Sequence, residues 1–230
     1  KLLPSTDLGE ICQGQMETSD ALSRIYAKGS LSFSGLRNIR DSLLRLKVGS
    51  SLSITELMHI ASLLETALRA KSYGRRETDD MSTDSLDGFF NAIEPLSPVC
   101  REIRRCILSE EEIADDASAG LKHVRRSIKL TNERIHSQLN AMVNSSSVSS
   151  MLQDNLITMR GGRYCLPVKA EYRSQIQGMI HDQSSSGSTL FIEPMAVVKL
   201  NNDLRELAAK EKEEIEKILA DLSNQCAEYQ

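Results

Sequence analysis

Residues 156–194 read LITMRGGRYCLPVKAEYRSQIQGMIHDQSSSGSTLFIEP, and across this stretch the period of the chain changes. Four short runs, 156–159, 163–168, 175–180 and 189–192, are rich in β-branched, aromatic and other apolar residues at strand length. Gly161-Gly162 and the polar run 184–188, with Gly187 in it, supply turns between them. The reading is a small antiparallel β module.

On both sides of the module the period is helical. Downstream, Val197, Leu200, Leu204, Leu207, Ile215, Ile218 and Leu222 recur at near-heptad steps, with Glu and Lys on the remaining faces. One helix cannot bury such a stripe alone. The pattern therefore calls for a returning helix, expected outside this sequence. Upstream, Leu121, Val124, Ile128, Ile135, Leu139 and Met142 mark a first long helix that starts near Asp116 or Ser118. The cluster Asn144-Ser145-Ser146-Ser147 ends or kinks it.

Residues 1–115 read as shorter amphipathic helices. Leu22, Ile25 and Tyr26 mark one face, and Leu36, Ile39, Leu43, Leu44 and Leu46 the next. Ser53 or Thr55 caps a helix bearing Leu57, Ile60, Ala61, Leu64 and Leu68. The polar run 77–83 is a loop. Phe89, Phe90 and Ile93 belong to a short helix that ends before Pro95, and Pro98 opens another bearing Ile103 and Ile107. The fold class is mainly α: a multi-helix core with long coiled-coil-like helices and a small embedded antiparallel β module. The divisions fall at 1–115, 116–155, 156–194 and 195–230.

Composition narrows the function. Net charge is −4, so an anionic partner must be met by a local patch rather than by the whole surface. The five cysteines, at 12, 100, 106, 165 and 226, are odd in number and form no CxxC pair. They read as reduced thiols of a cytoplasmic protein, not as a disulfide frame or zinc site. No apolar run approaches the ~20 residues that span a bilayer. Lys1 opens the sequence and Gln230 falls inside a helical pattern, so the chain reads as a piece of something larger. No GxxxxGK[ST] loop occurs, and the four His are scattered. His181-Asp182 before Ser184, Ser185 and Ser186 is a strand end and a turn rather than a hydrolase site, because strand neighbours point to opposite faces.

Basic residues carry the positive signal. Lys122, Arg125, Arg126, Lys129 and Arg134 crowd the first long helix, opposed within 122–134 only by Glu133. The β module adds Arg160, Arg163, Lys169 and Arg173 against Glu171. Cations grouped in this way can neutralise phosphates and release counterions. The candidate nucleic-acid contacts are Arg160, Arg163, Lys169, Arg173, Lys122, Arg125 and Arg126. The opposing reading is a solvated face, or internal pairing with Glu206, Glu211, Glu213 and Glu214. Tyr164, Tyr172 and Phe191 lie among these charges and can either stack on bases or form a small core.

The run RYCLPVKAEYR at 163–173 resembles the RYxLPVKxEYR signature of the second bacterial branch of the MutS family. Residues 178–194 are similar to that branch's GxVHDxSxSGxTxFxEP, with Ile180 in the place of Val, and 200–204 match LNNxL. Pro4-Ser5-Thr6 and 115–118 also fit, while Glu111 stands at a Gly-rich position of the family. The resemblance implies a helical core at 1–115, a lever helix and turn at 116–155, a β element of the clamp at 156–194, and a clamp or lever helix from 195. It implies a full-length homodimer with a separate ATPase domain that uses ATP and Mg, and an Smr endonuclease domain. The partners it implies are branched DNA and the ribosomal RNA of collided ribosomes, with no membrane. Within this chain it implies no catalytic, cofactor-binding or metal residue. The alternative is a structural helical lever that touches no nucleic acid and self-associates through its last stripe.

Overall fold

Ser53 caps a helix of 21 residues: its Oγ accepts from Glu56 N, and the Glu56 carboxylate accepts in return from Ser53 N. This reciprocal cap belongs to a computed structural model that describes residues 4–75 and 84–229. The loop read at 77–83 lies outside the described residues. The chain divides into two compact units, one of residues 1–114 with 218–230 and one of residues 115–217.

In the first unit the helices are α1 (Leu8–Lys28), α2 (Arg40–Lys47), α3 (Ile54–Gly74), α4 (Asp87–Asn91) and α5 (Ser97–Cys106). Leu57, Ile60, Ala61 and Leu64 of α3 are buried with Val99, Cys100 and Ile103 of α5. Arg104 of α5 clasps Glu65 of α3 at 2.8 and 3.0 Å, and this bond holds the Glu65 carboxyl below its ordinary range.

Two expectations change here. The face marked by Leu22, Ile25 and Tyr26 is exposed, Tyr26 by 82 %. What α1 buries instead is Arg24, whose guanidinium binds Asp84, Asp87 and the Gly74 carbonyl. Ile107 also leaves the helical pattern. It starts a hairpin of β1 (Ile107–Ser109) and β2 (Glu112–Ile113), closed by Ala114 N donating to Cys106 O. Strands of two and three residues are too short to show a period.

In the second unit α6 (Ala119–Val143) starts from Ser118, whose Oγ accepts from Leu121 N, and a one-turn α7 (Ser146–Ser149) follows. Then come β3 (Thr158–Arg160), β4 (Arg163–Lys169), β5 (Gly178–Gln183), β6 (Thr189–Pro194) and the long α8 (Met195–Ala227). The strands form one antiparallel sheet in the order β3-β4-β6-β5, with Leu166 opposite Ile192 and Val168 opposite Leu190. Gly161 and Gly162 turn β3 into β4 with φ of 56° and 75°, values that glycine adopts without strain. The third strand starts at Gly178, later than its pattern, because Ile176 drops into the core from the preceding turn. Ile135, Leu139 and Val143 of α6 meet Leu166, Val168, Leu190 and Ile192 of the sheet and Val197 of α8 in one apolar cluster.

Part of the α8 stripe finds a partner inside the sequence, in α6. Arg125 of α6 binds Glu211 of α8 at 2.7 Å, and Ser118 reaches Glu214, so the two helices run antiparallel. The Glu214 carboxylate occupies the space a Cβ on Gly120 would take. The last part of α8 serves the first unit: Ile218, Leu222 and Cys226 are buried there, and Leu52 N donates to Ser223 Oγ at 2.9 Å.

This packing sets a stability difference. Leu139→Ala should cost about 2–5 kcal/mol by urea denaturation, because it opens a cavity in a closed core. Leu44→Ala, at an exposed position of α2, should stay within about 0.5 kcal/mol.

Candidate nucleic-acid interface

β6 ends in Glu193-Pro194, and Pro194 has no N–H to extend the ladder. Beyond Leu166 the edge of β4 therefore needs another partner. Asn201, two turns into α8, supplies it with a side-chain amide. Tyr164 N donates to Asn201 Oδ1 at 3.1 Å, and Asn201 Nδ2 donates to Tyr164 O at 3.2 Å. The same Nδ2 donates to Glu193 Oε1 at 2.8 Å.

Glu193 is 0 % exposed. A buried carboxylate survives only when it is paired and hydrogen-bonded. Arg163 Nη1 donates to its Oε1 at 2.7 Å, and His181 Nε2 lies 2.5 Å from its Oε2. Arg163 Nη2 also reaches Asn202 Oδ1 at 2.6 Å. One carboxylate thus joins β4, β5, β6 and the start of α8. Beside it the fully buried Cys165 thiol is pushed up to about 11, by burial first and by the Glu193 charge second, which leaves it an inert thiol.

The seven candidate contacts separate into two groups. Arg163 is spent on Glu193. Arg125 lies between Asp115 at 2.5 Å and Glu211 at 2.7 Å. Arg160 packs over the Phe191 ring, and its Nε lies 3.2 Å from Asp182. Lys169 donates to the Ser150 carbonyl at 3.0 Å. Lys122, Arg126 and Arg173 are exposed, with no ion-pair partner among the described residues. Lys129 shares that condition. Spaced i, i+4 and i+7, Lys122, Arg126 and Lys129 line one face of α6 over about 10 Å.

The aromatics separate too. Tyr164 donates its hydroxyl to Asn132 and sets its ring edge-on to His136 at 4.9 Å. Tyr172 packs on the apolar cluster. Phe191 lies on the other side of the sheet, under Arg160. Ser184 is a turn residue whose Oγ accepts from Thr189 N.

Sequence reasoning passed over Glu193 and Asn201. The available signal was an acid closing the apolar run Thr189-Leu-Phe-Ile192, with an Asn pair one helical stretch later.

No protein-family model matches the chain. It is 60 % identical over 232 residues to a protein of Lachnoclostridium phytofermentans named Endonuclease MutS2, with 99 % of this chain and 29 % of that protein covered. Proteins of the same name match it from Agathobacter rectalis (58 % identity, 98 % and 28 % covered) and Clostridioides difficile (41 %, 99 % and 29 %). The chain spans under a third of the length of these relatives. No described helix is long and apolar enough to cross a membrane.

The buried carboxylate makes a sharp prediction. Glu193→Gln strands the Arg163 charge and should cost about 3–5 kcal/mol by denaturant titration. Replacing both residues together, Arg163→Met with Glu193→Leu, should cost less than the sum of the single changes. An additive double variant would show that the two groups do not act as a pair.

Proposed function

From the premise that this chain belongs to the MutS2 family, we propose that it is a nucleic-acid-binding segment, the core, lever and clamp part of a longer protein. In this reading the endonuclease activity of the relatives, an ATPase domain with its ATP and Mg, and homodimer contacts belong to the length of the relatives that the chain does not span. The partner is branched DNA or ribosomal RNA, both of which present phosphate. The binding segment couples that partner to the ATPase.

One observation carries the reading: Lys122, Arg126 and Lys129 on one face of α6 have no ion-pair partner among the described residues, while Arg125 and Arg163 are neutralised internally. An overall negative chain meets a polyanion only where cations are left free. Three such cations give weak, salt-sensitive binding, with a log–log salt slope of about −3 on duplex DNA at ~0.9 per neutralised phosphate.

A second reading, a lever that touches no nucleic acid, draws on the same internal pairing. Its self-association would run through the stripe of α8, where Val197, Ile218 and Leu222 are buried and Leu200, Leu204, Leu207 and Ile215 half-buried.

Fluorescence anisotropy against a four-way DNA junction and a structured ribosomal RNA, titrated across salt, separates the two. Lys122→Glu, Arg126→Glu and Lys129→Glu combined should abolish most of the binding, and each single neutralisation should flatten the slope by about 1. A triple variant with wild-type affinity and slope would remove α6 as the contact. No binding by the wild type would leave the lever.

A further inference from the structure

We propose that the Arg160–Phe191 pair is a stacking platform for an unpaired nucleobase. This rests on the nucleic-acid reading and names the feature that the β module recognises.

Side chains alternate across a strand. Leu190 and Ile192 enter the apolar cluster, so Phe191 between them faces the opposite side of the sheet. Its cross-strand partners there are Pro167 and Asp182. The ring is covered not by core but by a cation: the Arg160 guanidinium carbon lies 3.9 Å from the ring centroid. That distance is stacking contact.

Two of the three guanidinium nitrogens meet an acceptor at the rim of the group. Nε meets Asp182 at 3.2 Å, and Nη1 donates to the Met159 carbonyl at 3.0 Å. With the ring beneath and two acceptors at the rim, the group is held flat before any ligand arrives. The ordering cost of binding falls accordingly. The Arg160 side chain is still 38 % exposed. Beside it, the turn residues Gly161 and Gly162 are exposed.

A phosphate would compete with Asp182 for the rim and be repelled by it. A base needs only the guanidinium plane, which arginine offers as readily as an aromatic ring. Bases inside a duplex are stacked on both sides, so the platform fits a base in a single strand, loop or junction.

The test uses three fluorescent probes: a blunt duplex, the same duplex with a single-stranded arm carrying 2-aminopurine, and a single strand carrying 2-aminopurine. The wild type should bind the armed and single-stranded probes more tightly than the duplex and quench the 2-aminopurine. Phe191→Leu and Arg160→Lys keep apolar bulk and charge respectively. Each should weaken binding to the two unpaired probes at least about fivefold, the low end of base stacking, and abolish the quench. Duplex affinity and salt slope should not change. Equal losses on all three probes with a shallower salt slope would make Arg160 a phosphate contact and overturn the platform. So would variants that match the wild type throughout. Wild-type binding to none of the probes would remove the nucleic-acid reading itself, a failure distinct from loss of the platform alone.

Discussion

A carboxylate with no access to water must be satisfied by the protein around it. Glu193 meets that demand by drawing Arg163 from β4, His181 from β5 and Asn201 from α8 to one point. The consequence is geometric. β6 passes into α8 at Pro194 without a loop, so the direction of the helix follows from the strand. Asn201 then stands in for a strand at the edge of β4, with one amide doing the work of a peptide group. Removing the carboxylate would loosen a joint of four elements, not a single contact.

The same joint decides which cations are available. An arginine beside a buried acid is a structural ion, and its charge is cancelled where it stands. Arg163 sits in the middle of the most basic stretch of the β module and yet contributes little field outside it. Arg125, between Asp115 and Glu211, is cancelled in the same way. The exposed Arg126, next in the chain, and Lys129, one turn on, have no ion-pair partner among the described residues. On a chain of net charge −4, a cation's partners therefore matter more than the local count of basic residues.

Much of the fold was legible in the sequence. The Ser53 and Ser118 caps, the stripe of α6, the Gly161-Gly162 turn and the mainly α class with one embedded β module all follow from local chemistry that acts within a few residues. What was not legible depends on partners distant in sequence. The seven-turn stripe of α8 announced a need for a partner without saying that α6, about 80 residues upstream, would meet part of it. The apolar face of α1 promised burial, and the helix is instead anchored through Arg24 to Asp84 and Asp87, 60 and 63 residues away. Nothing in the RYCLPVK run marks its first arginine as bound to an acid 30 residues on.

The aromatics follow the same logic of faces. Strand parity sends Tyr164 towards α6 and Phe191 away from it, although both lie among cations in the sequence. A phenylalanine turned out of an apolar core loses burial unless something covers it. Here the cover is Arg160, and the arginine's own desolvation is limited because its rim donors reach Asp182 and the Met159 carbonyl. At Phe191 the outer side of the sheet thus carries a flat, charged group with two of its nitrogens bonded at the rim. Such a surface is too ordered to be a general phosphate contact and too exposed to be core, and the ligand that matches both properties is itself flat.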